Sequence, residues 1–248
     1  MKVLSSVDSL TLEYVYALLI IFAGGVIRGF TGFASGLVMV PLLALLWGPV
    51  EAIASVVGLG IFASIQITIP AIPLVSWRDV RPMIVAGLCF TPVGTVLLIT
   101  LDPEIVKKII AAAVIFVTVV SLMGWTYKGP RGFIPGFITG AIGGTVSGVA
   151  GVGGPPLVLY LMSLPGTAKE HRANIAIITT MMGLTVLVSM LMADAVSKKV
   201  LINVAVLVLP YMASVWAGAR LFNIIPAQAF RIIIYWMLIA ISLMILIS

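Results

Sequence analysis

Two apolar segments of this chain are too long to cross a membrane as single straight helices. Tyr14–Trp47 has Arg28 as its only charge, and Phe133–Leu164 has no charge at all. At 1.5 Å per residue, a continuous helix over either segment would reach roughly 50 Å, whereas the hydrocarbon core of a bilayer is about 30 Å thick. We therefore expect both segments to be broken, bent or folded back.

The composition is typical of a membrane protein. Hydrophobic residues make up 62% of the 248 residues and charged residues only 9%, whereas soluble domains have about 25% charged residues. The net charge of +6 comes from basic residues at the ends of apolar runs, which indicates membrane anchoring rather than nucleic-acid binding. We predict an all-α integral membrane protein. Six further stretches have the length of ordinary spans: Ala52–Ile69, Met83–Leu101, Ile109–Trp125, Ala173–Met192, Val200–Ala219 and Ile232–Ile247.

Glycines and prolines cluster in the middle of both long segments. The clusters are GGVIRGFTGFASG from Gly24 and GGTVSGVAGVGGPP from Gly143. Interior Gly and Pro destabilise a helix by about 1 and 3 kcal/mol relative to Ala. The sequence therefore predicts that the helices stop within Arg28–Gly36 and within Ser147–Pro155.

The two clusters match at a constant offset of 119 residues. Glu51 and Glu170 keep the same register, and after a slip of a few residues Pro103 and Pro226 each open the last span of a half. We predict an internal duplication with halves 1–128 and 129–248, each a broken segment plus three spans. The matching glycines are Gly24, Gly25, Gly29 and Gly32 with Gly143, Gly144, Gly148 and Gly151. Broken helices at corresponding positions of two halves indicate a transporter binding site near the bilayer midplane.

Two long runs resemble a known family. The run GGVIRGFTGFASGLVMVPLLALLWGPVEA and its partner GAIGGTVSGVAGVGGPPLVLYLMSLPGTAKEHRAN are similar to the signature segments of the TauE/SafE sulfite exporter family, also called the toluene sulfonate uptake permeases. The resemblance covers essentially the whole chain. It implies secondary transport of sulfite, of sulfonates such as sulfoacetate, or of related small sulfur-containing anions, usually across a bacterial inner membrane.

A compact oxyanion needs hydrogen-bond donors and positive potential. The start of a broken helix offers both, because its first N–H groups are unpaired and the helix dipole is positive there. We expect new helices near Ser35 and Gly36 and near Gly154 and Pro155, with the anion between them. The alternative is that the glycines only permit close helix crossing.

Arg28 is the strongest single candidate for a substrate-binding residue. A charge at mid-membrane costs about 2.5 to 3.5 kcal/mol on insertion scales, and no acidic residue within the apolar runs is an obvious partner. Its guanidinium fork fits an oxyanion, so we expect Arg28 to be the counter-charge of the substrate. The alternatives are that Arg28 snorkels to an interface or binds helix C-terminal carbonyls.

Hydroxyls, amides and backbone positions complete the predicted site. Ser and Thr in membrane helices often bond their own i−4 carbonyl instead, and Arg172 could be an interfacial anchor. Arg172 and Asn174 are included because their RAN triplet resembles a family element. The predicted substrate-binding set is Arg28, Gly29, Thr31, Gly32, Ser35, Gly36, Gln66, Ser147, Gly148, Gly151, Gly153, Gly154, Pro155, Arg172 and Asn174.

Three residues at span entrances are candidates for proton coupling. His171 has an ordinary pKa near 6.5, which suits that role, and Glu51 and Glu170 are equivalent in the repeat. Helix capping is the preferred interpretation of both carboxylates, and an interfacial position is preferred for His171.

The sequence argues against an enzyme. One His and one Cys cannot form a dedicated metal cage, and no base accompanies a candidate nucleophile, so we predict neither a metal nor a cofactor. A passive anion channel and, less favoured, a membrane-embedded enzyme or assembly subunit remain alternative functions.

The basic residues bear on orientation. If the broken segments cross the membrane, Lys and Arg divide seven to six between the two sides; if both fold back as hairpins, eight lie opposite the termini and five lie with them. This asymmetry favours hairpins, with both termini outside the cytoplasm.

Overall fold

The computed structural model describes residues 2–123 and 127–221, with side chains from Leu12 onward except those of Val117 and Ser121. All regular structure in these residues is helical. The predicted span Ile232–Ile247 lies outside the described residues. The α-helices are α1 Lys2–Thr31, α2 Ser35–Trp47, α3 Pro49–Ala71, α4 Trp77–Thr100, α5 Pro103–Leu122, α6 Phe133–Ala150, α7 Gly154–Leu161, α8 Ala168–Met192 and α9 Lys198–Leu221, with a short 3-10 turn at Ile72–Leu74.

Both predicted helix breaks are confirmed, and each is made by a glycine. Gly32 has φ +92° and its N–H donates to the Arg28 carbonyl at 2.7 Å. Gly151 has φ +67° and its N–H donates to the Ser147 carbonyl at 2.9 Å. Glycine tolerates this left-handed conformation, which turns the chain off the helix axis.

The chain reverses direction at both breaks. Trp47 at the end of α2 donates its indole N–H to Glu13 Oε1 at 2.7 Å, near the start of the apolar part of α1. In the second segment, Tyr160 in α7 exchanges hydrogen bonds of 3.1 and 3.2 Å with the backbone of Gly132, immediately before α6. These contacts require α2 to run back along α1 and α7 to run back along α6.

Six of the described helices are long and apolar enough to cross a membrane. They are α3, α4, α6, α8, α9 and the Leu12–Thr31 part of α1. The helices begin earlier than the apolar stretches alone predicted, since α4 starts at Trp77 and α8 at Ala168. Charged residues in these first turns extend the helices without interrupting them. α2 is shorter, and ten of its thirteen residues are buried, so protein surrounds it.

Glycines bring helices of different segments into backbone contact. A Cβ atom on Gly29 would overlap the Val215 carbonyl of α9 and lie 2.7 Å from the N atom of Ala219. At the matching position of α6, a Cβ on Gly148 would overlap the Thr91 carbonyl of α4. Thus α1 packs against α9 as α6 packs against α4, while α3 packs against α8.

Two polar contacts mark opposite ends of the bundle. At one end, Lys199 Nζ lies 3.5 Å from carboxylate oxygens of both Glu13 and Glu51. At the other end, the Ser76 N–H donates to Asn174 Oδ1 at 2.8 Å. We call these the Glu13 end and the Ser76 end.

Candidate functional site

A cavity lies between the two helix breaks. Its volume is about 650 Å³ including its open part, and α3 and α8 form the facing walls. The predicted residues that line it are Arg28, Ser35, Gly36, Ser147, Gly151, Gly153, Gly154 and Pro155. Residues from two distant parts of the sequence therefore meet around one space.

Arg28 is held loosely in this cavity. Its Nη2 donates to the Gly60 carbonyl at 3.3 Å and to Ser64 Oγ at 3.2 Å, while its buried Nε has no hydrogen-bond partner. Charge-assisted hydrogen bonds are usually about 2.7 to 2.9 Å long. No carboxylate pairs with Arg28 within residues 12–123 and 127–221. The guanidinium can therefore donate hydrogen bonds to a further, anionic partner.

The two new helix starts are chemically unequal. Neither start has a side-chain cap. The first turn of α2 carries an N–H at every position, whereas Pro155 and Pro156 remove two N–H groups from the first turn of α7. Proline suits the first turn of a helix, as predicted, but it also makes α7 the poorer anion donor.

Seven of the predicted residues do not line the cavity: Gly32, which forms the first break, Arg172 and Asn174, described below, and four others. Gly29 and Gly148 form the helix contacts with α9 and α4, as the close-packing alternative stated. Thr31 Oγ1 donates to the Ile27 carbonyl at 2.7 Å and accepts from the N–H of Ala34 at 3.1 Å, so it supports the first break. Gln66 is exposed on α3.

Arg172 and Asn174 contact other parts of the chain. Arg172 Nη2 donates to the Gly29 carbonyl at 2.7 Å, near the end of α1. Its side chain also packs beside Gly32, where a Cβ atom would lie 3.2 Å from Arg172 Cγ. Asn174 is buried and accepts the Ser76 N–H. Both residues position the backbone around the site rather than line the cavity.

The three coupling candidates lie near the ends of the bundle. Glu170 closes a capping box with Thr167 at the start of α8, with its Oε2 accepting the Thr167 N–H at 2.7 Å. Glu51 accepts from Ser197 Oγ at 3.3 Å in addition to its ion pair with Lys199. His171 is half-buried beside the turn that precedes α8.

Sequence reasoning missed the hydroxyls on the wall facing the breaks. Ser64 on α3 and Thr179 and Thr180 on α8 line the cavity. At the repeat offset, Ser64 corresponds to Gly183 in the sequence, and both positions line the cavity. The repeat relates these two positions, but only the packing of α3 against α8 shows that they line one cavity.

Comparison with protein families gives a match over nearly the whole chain. Residues 17–245 match the family described as Sulfite exporter TauE/SafE. Comparisons with curated proteins and with solved structures gave no match. The matched range includes both helix breaks and the walls of the cavity. The chain is an integral multi-pass membrane protein that belongs to the TauE/SafE sulfite exporter family.

Proposed function

We propose that this protein is a secondary transporter that binds a small sulfur-containing anion, such as sulfite or an organosulfonate, between the two helix breaks. The observation that supports it best is Arg28, a charged side chain without a carboxylate partner in the described residues, in a cavity that both breaks line. The family supplies the class of substrate.

Arg28 supplies the positive charge. The buried Nε and the loosely bonded Nη2 belong to one planar fork, and two oxygens of a sulfite or sulfonate match such a fork. Anion binding would provide a partner for the buried Nε. It would also replace two long hydrogen bonds to neutral oxygens with shorter charge-assisted bonds.

The first turn of α2 supplies further donors. Ser35 and Gly36 line the cavity at a helix start where the dipole is positive. The Tyr211 hydroxyl donates to Ser35 Oγ at 3.2 Å, which leaves the Ser35 proton available for another acceptor. The α7 start contributes fewer N–H groups, so the anion should bind closer to Arg28 and α2 than to α7.

The packing supports two related halves, 1–128 and 129–248, with re-entrant hairpins. A Cβ atom on Gly218 of α9 would overlap the Val26 carbonyl, and one on Gly94 of α4 would overlap the Thr145 carbonyl. Val26 and Thr145 are related by the offset of the repeat. The reversals at both breaks support hairpins that enter from opposite ends, an arrangement suited to alternating access.

Counterflow in liposomes tests this function. Purified protein should take up radiolabelled sulfite faster when unlabelled sulfite is present inside, because a carrier returns faster when loaded. A passive channel gives no such trans-stimulation. Arg28→Ala should abolish the stimulated uptake, while Arg78→Ala, which removes an exposed arginine at the start of α4, should retain it. Sulfate, thiosulfate and organosulfonates as competitors would rank the substrates.

A further inference from the structure

Three hydroxyls join α3 to α8 beside the cavity. Thr180 Oγ1 of α8 lies 3.0 Å from Ser64 Oγ and 2.9 Å from Thr68 Oγ1, both on α3. Ser64 and Thr68 are almost completely buried. We call these three side chains the hydroxyl latch.

The hydrogen bonds of the latch run in one direction. Ser64 Oγ donates its only proton to the Gly60 carbonyl at 2.8 Å and accepts from Arg28. With the Ser64 proton on Gly60, Thr180 donates to Ser64 and Thr68 donates to Thr180. The chain of donors ends beside the guanidinium, so the latch is connected to the proposed anion site.

The cavity ends at the latch. Ser64 and Thr180 line the cavity, but Thr68, one turn beyond Ser64 on the same face of α3, does not. Beyond the latch towards the Ser76 end, Arg172 lies two turns before Thr180 on α8 and is bonded to the Gly29 carbonyl. It is the next cation on α8 in that direction.

The hydrogen bonds that join α3 to α8 at the latch can be replaced within each helix. If the seam between these helices opens, Ser64 keeps its bond to Gly60, and Thr180 can turn to a carbonyl of its own helix, as Thr179 already does towards Ile175 at 2.8 Å. By contrast, the α1–α9 and α4–α6 contacts are close backbone contacts at glycines. Separating those helices would lose close packing that nothing replaces.

The latch is confined to one end of the seam. At the repeat offset of 119 residues, Ser64 corresponds to Gly183, Thr68 to Leu187 and Thr180 to Ile61. None of these three corresponding residues carries a hydroxyl. A Cβ atom on Gly183 would contact only Val57, at 3.9 Å, so the seam is also loosely packed there. The latch therefore has no counterpart at the positions that the repeat offset relates to it.

We infer that the hydroxyl latch of Ser64, Thr68 and Thr180 is the gate through which the anion leaves Arg28 towards Arg172 and the Ser76 end. The inference rests on the proposed anion site. Opening separates α3 from α8 and removes the hydrogen bonds of Thr180 that close the path between them.

A reversible cross-link tests the gate. In a Cys89→Ala background, which removes the native thiol, Thr68→Cys and Thr180→Cys place two sulfurs where hydroxyl oxygens lie 2.9 Å apart, and a disulfide needs about 2.05 Å. Oxidation should lower sulfite transport by at least about tenfold, and reduction should restore it. Equilibrium binding of radiolabelled sulfite should differ by less than about twofold between the oxidised and reduced forms of this variant, because oxidation changes neither Arg28 nor the start of α2. Undiminished transport by the fully cross-linked protein would overturn the gate.

A second measurement is independent of the substrate. Ser147→Cys in the same Cys89→Ala background places a thiol in the cavity, and an impermeant thiol reagent is added from the Ser76 end. Thr180→Val, which removes the latch hydroxyl and keeps the shape, should speed labelling, whereas Thr185→Val should not, because Thr185 bonds its own helix at Met181. Equal labelling in both variants would refute the gate. The two proposals can also fail separately. If the reduced double-cysteine variant does not bind sulfite but Thr180→Val still speeds the labelling of Ser147→Cys, the proposed substrate is refuted and the gate is supported.

Discussion

Arg28 should determine anion affinity. Hydrogen bonds that involve a charged group contribute about 1.5 to 3 kcal/mol, and about 1.4 kcal/mol corresponds to one decade in affinity. Arg28→Ala should therefore weaken sulfite binding roughly ten- to a hundredfold. Arg28→Lys should give an intermediate affinity, because lysine retains the charge but not the planar fork.

Binding to purified protein, with thermal unfolding followed in parallel, checks this expectation for Arg28. A snorkelling arginine would give the opposite pattern, in which Arg28→Lys binds like the native protein and Arg28→Ala mainly loses stability. The native contacts of Arg28 are the long bonds to Gly60 and Ser64, so we expect the affinity effect to exceed the stability effect.

Arg172 should behave differently although it is also an arginine near a break. Its 2.7 Å bond to the Gly29 carbonyl holds the end of α1, where a cation is favourable to the helix dipole. We expect Arg172→Gln to lower the midpoint of thermal unfolding. Sulfite binding should weaken only to the extent that the first helix break, at Gly32, changes position. A variant with native stability and strongly reduced affinity would instead assign Arg172 to the anion site.

At the scale of single elements, Gly29 of α1 and Gly148 of α6 should tolerate no side chain. Gly29→Ala and Gly148→Ala would each force a methyl group into the backbone of a neighbouring helix. Overpacking of this kind typically costs about 1 to 3 kcal/mol. Thermal unfolding in detergent should therefore shift downward for both variants. Gly183→Ala is the matched control, because its added methyl group meets only Val57 at ordinary contact distance. Equal stabilities of all three variants would contradict this account.

Local signals explain which features the sequence could predict. The breaks at Gly32 and Gly151 follow from residue types that end helices wherever they occur, so both helix starts, at Ser35 and Gly154, were predictable. The reversal of the chain depends on contacts such as Glu13 with Trp47, which no local pattern encodes.

The cavity wall illustrates the same limit for the site. The partner of Ser64 is Thr180, far away in the sequence, and its role depends on how α3 and α8 pack. Gln66, a predicted site residue, does not line the cavity for a related reason. Its position on the exposed face of α3 depends on which side of that helix the rest of the protein covers. Residue types predicted the kind of chemistry, and tertiary packing selected the residues.

At the scale of the whole molecule, the hairpin arrangement predicts orientation. Among residues 12–123 and 127–221, Arg28 apart, the proposed hairpins place seven basic residues at the Ser76 end and four at the Glu13 end, so the Ser76 end should face the cytoplasm. In a Cys89→Ala background, Asp102→Cys in intact cells should react with an impermeant thiol reagent, and Lys128→Cys should react only after permeabilisation. Both native side chains are exposed. The reverse pattern would invert the orientation, and labelling of both in intact cells would contradict the hairpin topology.

The glycine contacts also set an order of events during synthesis. Thr91 and Gly148 lie on α4 and α6, which are close in the sequence, whereas Gly29 and Val215 lie on α1 and α9, the first and last described helices. At roughly 5 to 20 residues per second, the ribosome needs roughly 3 to 11 s to pass from Thr91 to Gly148 and roughly 10 to 40 s to pass from Gly29 to Val215. The nascent chain must therefore hold the glycine face of α1 against lipid or an insertion factor long after α4 and α6 have met. A ribosome that stalls before α9 leaves that face uncovered, and such truncated chains should be the ones that quality-control proteases remove first.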